Sequence, residues 1–481
     1  MKASVIHAGC VLAVILASSV SGQMGRRWPS EKRVVPDPVT GIPLHFLTTD
    51  PASDSKIYQT HPQWTADGKW LLFGGNRGTG SQAFAVHEET GDIVQVTESG
   101  YMGMLCSAHK AMKLYIMRNP RGDSGRGGRG PAGAPAERGP GVRGAPGGAE
   151  APGTRPGRPG GRAAGRGGQQ VIEIDLARLF ADSQAGTMKA PSEYERLCGT
   201  VPPGIDAGGN MAVDAQDDFV YFSVTGPNTA SLSEGQVLQE ASGQRRMGAG
   251  PSGLRAMDLK TGEVKVICNV GFQIGHVQTN PVAPGEILFC WETGGKAPQR
   301  TWFVRADGTG LRPLYPELPY EWVTHEAAIS RDEVAIAILC HRRPGVDDAW
   351  GTSGTAEHPT GVGIVNLRTR EMRIAGQVPL GDPGRSDWHV AGSLDGRWAA
   401  FDDFQYRLWL IDRRTGETVL LADLGHKTTA ADHVHPTFSL DSTRIEVQCA
   451  MLAPDGRALD LCVVPVPQAW LGRTYGQRLV P

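Results

Sequence analysis

The stretch ADHVHPTF at 431–438 sets two imidazoles one residue apart, His433 and His435. On an extended strand, residues two apart project to the same side, so both rings would face one point. His389, in WHVAGS, supplies a third nitrogen if its strand lies alongside. Three imidazoles with room for oxygen ligands suit zinc, manganese or iron, and the residue types alone do not choose. His325, in VTHEAA, and Arg300, in KAPQRTWFV, add a base and a fixed positive charge. This set matches proton abstraction beside a carboxylate. The carbon acid α to a uronate carboxylate is very weak, so metal and guanidinium must neutralise the carboxylate before a base of near-neutral pKa can take the proton. Each residue also has a plainer reading. An isolated H-x-H pair is more often incidental than a metal site, Arg300 suits a surface ion pair, and His325 suits a hydrogen-bonded interior histidine.

Residues this far apart meet only if a repeating architecture gathers them. QTHPQWTADGKWLLFGG at 59–75, WHVAGSLDGRWAAFDD at 388–403 and HVHPTFSLDSTRIEVQ at 433–448 share one pattern: a short strand, a turn carrying Asp, and an alternating strand. Weaker copies begin near Cys106, Ala207, Ile274 and Val323, giving seven openings. Runs such as RLWLIDRRTGETVLLAD and LRAMDLKTGEVKVICN add two further strands around a D-x-x-T-G-E hairpin. Four strands per unit at a fixed period predict an all-β fold, a seven-bladed β-propeller with four-stranded blades. A strand at 42–49 is expected to complete the blade begun by the last repeat. First strands line the channel of a propeller, and the openings hold His61, His109, His276, His325, His389, His433 and His435, seven of thirteen histidines.

With 48 basic and 50 acidic side chains, net charge names no partner, and nucleic acid is not expected as one. Residues 1–22 read as a signal peptide, with Lys2 ahead of an apolar run at 11–17 and small residues after it. That run is too short to span a bilayer and no later segment approaches the needed length, so the expectation is an exported protein, periplasmic or secreted, with no membrane span. The remainder, 23–481, is expected to be a single propeller domain. Seven cysteines then remain, without C-x-x-C spacing, and read as buried thiols. Residues 120–169 hold nine arginines and three acidic residues among glycine, proline and alanine, a composition that cannot bury a core and is expected to be disordered. A polar loop is expected at 227–250.

From Gly275 to Gln448 the chain resembles the oligogalacturonate lyase family, polysaccharide lyase family 22. The likeness is carried by GHVQTNPVAPGEILFCWETGGKAPQRTWFVRADG, THEAA, WHVAGSLDGRWAAFDD and HVHPTFSLDS. The resemblance implies a seven-bladed propeller that cleaves short oligogalacturonides or a related pectic glycan by β-elimination, with a bound divalent metal, manganese. It implies His325 as base and Arg300 as the group that grips and neutralises the uronate. It further implies His389, His433 and His435 as metal ligands, with His276, Gln278 and Arg300 binding substrate. Where the family places a glutamine three residues before H-x-H, this chain has Ala430, and Asp432, water or another channel residue must take that position. The rival expectations are a non-enzymatic TolB-like propeller and a carbohydrate-binding propeller.

Overall fold

The computed structural model describes residues 24–78, 80–98, 100–120, 167–240, 248–293, 296–341, 360–377, 387–425 and 432–474, with His341 described in its backbone only. Seven antiparallel sheets ring a common axis, a seven-bladed β-propeller, as the repeats predict. The innermost strands, in chain order, are Ser55–Lys56, Tyr101–Ser107, Asp206–Val213, Ile274–Thr279, Glu321–Ala328, Asp387–Gly392 and Thr437–Phe438, numbered here as blades one to seven. The expected closure is present. Pro43–Phe46 pairs antiparallel with Asp460–Pro465 in blade seven, His45 opposite Val463 and Phe46 opposite Cys462. Two blades carry a fifth, outermost strand, Arg27–Trp28 in blade one and Arg33–Pro36 in blade seven.

The repeat pattern has a local cause in the turn between the first two strands. Thr65, Ser393 and Ser439 each hydrogen-bond through their hydroxyl to Asp67, Asp395 and Asp441, at 2.6, 2.5 and 2.6 Å. The next residue, Gly68, Gly396 or Ser442, takes a positive φ of 70, 75 or 60°. The carboxylate closes the turn and the left-handed residue reverses the chain, so S/T-x-D-G, or S-x-D-S at Ser439–Ser442, marks these reversals. In the hairpin between outer strands, Asp258 accepts from the Lys260 and Thr261 amides, and Gly262 supplies the left-handed position. Middle strands are buried on both faces, as in Trp398–Asp403, because each sheet is sandwiched between two neighbours. All seven cysteines beyond Cys10 are buried free thiols.

The 120–169 insertion separates Lys113–Arg118 from Gln170–Asp175, paired neighbours within blade two; its residues 121–166 lie outside the described residues, as do 1–23 and Ala430. The polar loop gives way to strand at Ala249, and its Ser233 and Gln239 amides donate to Asn269 and Gly271 on the outer strand of blade three. Among the described residues, no helix is long and apolar enough to cross a membrane.

Candidate active site

The inner strands of blades four, five and six share one irregularity. Their ladders break between Gly275 and Gln278, between Val323 and Glu326, and between Asp387 and Val390. His276, His325 and His389 each fall in the break. A bulge re-aims the side chain that regular alternation would send elsewhere. The rings converge: His276 and His325 stack at 5.5 Å between centroids, and His325 and His389 lie 4.0 Å apart. His389 continues the cluster to His435 at 3.7 Å and His433 at 5.7 Å. His433 and His435 sit just ahead of the short strand Thr437–Phe438, and His435 has φ +53°, so they do not follow strand alternation. Both nevertheless reach His389.

Hydrogen bonds decide which nitrogen each ring offers. His325 Nδ1 is 2.7 Å from the carbonyl oxygen of Trp388, which only accepts, so the proton sits on Nδ1 and Nε2 carries the lone pair. Burial, reinforced by His389 and His276, holds this imidazole well below its usual pKa and keeps it neutral. His389 Nδ1 donates to Asp402 at 3.0 Å, which turns its Nε2 outward as a ligand nitrogen. Asp402 also accepts from the backbone amides of His389, Val434 and His435 at 2.7, 2.9 and 3.2 Å. Its oxygens are spent on orienting these histidines, although nitrogen and oxygen atoms of His389, Asp402 and His433 lie within 4.8 Å of one another and form a candidate metal group.

The donor set fits a divalent cation. His435 bridges two oxygens, with Nδ1 3.0 Å from Gln59 Oε1 and Nε2 2.9 Å from Asp432 Oδ1. Although burial opposes it, His435, the His433 amide and Gln448 hold the Asp432 carboxyl down at about 2, so it is an anionic oxygen donor. His433 Nδ1 is buried without a hydrogen-bond partner among the described residues.

Arg300 is buried in blade four, donates through Nε to the Thr324 carbonyl at 3.1 Å, and lies 4.0 Å from Glu292. This bond sets its guanidinium beside the His325 strand. Gln278 is fully buried, donating to the Glu326 carbonyl at 3.0 Å and accepting from the Ala328 amide at 2.9 Å, so its amide ties blade four to blade five. His61 and His109 stand apart from the cluster, lining a cavity of about 340 Å³ with Lys110, Thr279 and Thr437. Four residues of the cluster escaped the sequence reading: Tyr58, Asp402, Glu292 and Glu326. Tyr58 Oη lies 3.1 Å from His276 Nε2 and its ring packs on His276 and His435 at 4.8 and 5.4 Å. Glu326 directly follows His325 in THEAA, but the residue pattern alone gives it no partner.

No family model matches the chain, and no curated protein is similar to it in sequence. Solved structures do resemble it. An oligogalacturonate lyase in complex with manganese superposes with a TM-score of 0.64 at 18% identity, over 93% of this chain and 99% of that one. An oligogalacturonate lyase from Vibrio parahaemolyticus gives 0.64 at 16% identity, over 93% and 100%. At such identities the likeness is one of fold, and it falls on the family that the sequence resembles.

Proposed function

We propose that this chain is a metal-dependent lyase that cleaves uronate-containing oligosaccharides, of the oligogalacturonide kind, by β-elimination. One observation carries the reading: a neutral histidine, His325, with its lone pair fixed on Nε2 by a carbonyl, stands between the metal-type histidine His389 and the buried Arg300 strand. His389, His433 and His435 would hold the metal, with Asp432 as oxygen ligand where the family has an amide. The bound metal, manganese in the similar structure, supplies positive charge to the uronate carboxylate. Arg300 binds and neutralises the same carboxylate, which acidifies the carbon beside it. His325 Nε2 takes that carbon's proton, and the Trp388 carbonyl steadies the imidazolium that forms through Nδ1–H. The signal read in residues 1–22 sends this reaction outside the cytoplasm.

The test is incubation of purified protein with oligogalacturonides and other uronate glycans, with manganese or with chelator, following ultraviolet absorbance from the new double bond. Chelator-sensitive absorbance is the expected result; silence on every uronate substrate, manganese included, sinks the reading. His325→Ala is expected to lose turnover by about 10²–10⁴-fold while retaining metal. His433→Ala is expected to lose metal, and full metal content in that variant contradicts its place as a ligand.

A further inference from the structure

β-Elimination expels a sugar oxygen, and an alkoxide leaves slowly unless it receives a proton. We infer that Tyr58 is the acid that supplies it, and that His276 and Glu326 recharge Tyr58 from behind; the inference rests on the lyase reading above.

Tyr58 follows the inner strand of blade one and is buried at the centre of the cluster, its ring against His276 on one side and His435 on the other. Its hydroxyl meets His276 Nε2, beside His325, and its ring meets the metal-type histidines His389 and His435 edge-on at 6.5 and 5.4 Å, so it adjoins both halves of the cluster. His276 is held there at a cost, at φ +48°, a region that a residue with a Cβ enters only under constraint. Its Nε2 faces Tyr58 Oη at 3.1 Å and Glu292 at 3.4 Å. Glu292 is an acceptor already engaged by the Cys290 thiol at 3.6 Å, so the proton of His276 belongs on Nε2. Its Nδ1 is then a lone pair, and Glu326 Oε1 stands 3.3 Å from it.

Neither Nδ1 nor either Glu326 oxygen has a hydrogen-bond partner among the described residues. A carboxylate facing a lone pair would repel it, whereas a protonated carboxyl is complementary. Burial pushes Glu326 up to about 8, against the pull of Arg300, which keeps it protonated at neutral pH. Burial likewise pushes His276 down to about 3, so it stays neutral.

The step balances. The electron pair of the C–H bond beside the uronate carboxylate becomes the new C=C bond as His325 Nε2 takes the proton. The C–O bond to the leaving sugar breaks with its pair on oxygen, which accepts the Tyr58 hydroxyl proton. Tyr58 recovers a proton from His276 Nε2, and Glu326 returns one to Nδ1. His325 has gained one proton and Glu326 has lost one. These two groups are adjacent in sequence, and a water can return the proton once product leaves. Tyr58 is the catalytic residue of this arm; His276 and Glu326 act through it and position it.

The experiment uses full-length protein loaded with manganese and oligogalacturonide in deuterated water. It reads elimination by absorbance and deuterium uptake at the carbon beside the carboxylate by mass spectrometry. Tyr58→Phe keeps the ring packing, which metal content and melting temperature verify. Elimination is expected to fall by roughly 10²–10⁴-fold while deuterium uptake continues. Glu326→Gln, which cannot recharge the relay, is expected to show the same separation to a smaller degree. An active Tyr58→Phe, or elimination and uptake lost together in both variants, overturns the inference while leaving the lyase reading standing. A wild type that neither eliminates nor exchanges on any uronate overturns both.

Discussion

At the scale of single residues, the site depends on groups that hold histidines as much as on the histidines themselves. Asp402 fixes the His389 tautomer and gathers the His389, Val434 and His435 amides. In Asp402→Asn one oxygen becomes an amide donor facing those N–H groups, so His389 loses its orientation. Partners of this kind typically contribute 10–100-fold to metal affinity. Manganese affinity is therefore expected to fall by about that factor, read as a weaker rise of melting temperature on manganese titration. An unchanged titration would mean that Asp402 does not orient His389. His325, His389 and the H-x-H pair were legible in the sequence because histidine is rare on inner strands and the repeat says where those strands are. Tyr58, Asp402 and Glu292 were not. Tyr58 reaches His276 from another blade, while Asp402 and Glu292 lie at the ends of the second strands of the same blades as His389 and His276 and meet them where the inner ladders break, so regular spacing betrays none of the three.

Among the elements, the repeat and its turns were readable because the chemistry is local: an S/T hydroxyl, an Asp two residues on and a left-handed glycine meet within one turn. The bulges were not, since period-two alternation says where a side chain points only while the ladder is regular. For that reason His433 and His435 were placed on a strand they only precede. The blade-four bulge opens on Gly275, where an added Cβ would lie 2.6 Å from Glu292 Oε2, 2.9 Å from its Cβ and 3.2 Å from Cys290 Sγ. Glu292 cannot yield at its Cβ without moving strand, so Gly275→Ala should displace the His276 bulge. A misplacement near 1 Å in a catalytic constellation costs about 100-fold in rate. Turnover is expected to drop by about that factor with manganese content unchanged. Full turnover would show that the bulge has slack, and lost manganese would show that the disturbance spreads to blade six.

For the molecule as a whole, seven blades become one structure through the seam where the chain's two ends meet. The N-terminal strand Pro43–Phe46 completes blade seven, and the chain then runs along that blade into blade one, with Leu47 and Asp54 amides bonded to Leu461 and Leu459 carbonyls at 2.8 Å each. Buried at this crossing, Arg77 of blade one pairs with Glu31, with Asp54 and, at 3.3 Å, with Asp50. One guanidinium thus bridges three carboxyl groups from the segments that close the ring. Burial pushes Asp54 up to about 7 despite Arg77, so the stability this group contributes is full at low pH and is lost as pH rises through about 7. Arg77→Met keeps the aliphatic stem but leaves the carboxylates facing one another unpaired, a change that costs about 3–5 kcal/mol when the charges are buried. The loss should be greatest at about pH 8, where Asp54 is ionised, and smaller at about pH 5.5, where it carries a proton and relieves the repulsion. Urea unfolding of wild type and variant at both pH values measures this. An equal loss at the two pH values would mean that Arg77 holds the seam by packing on Phe73 and Phe84, 5.6 and 5.7 Å from its guanidinium, and not by charge.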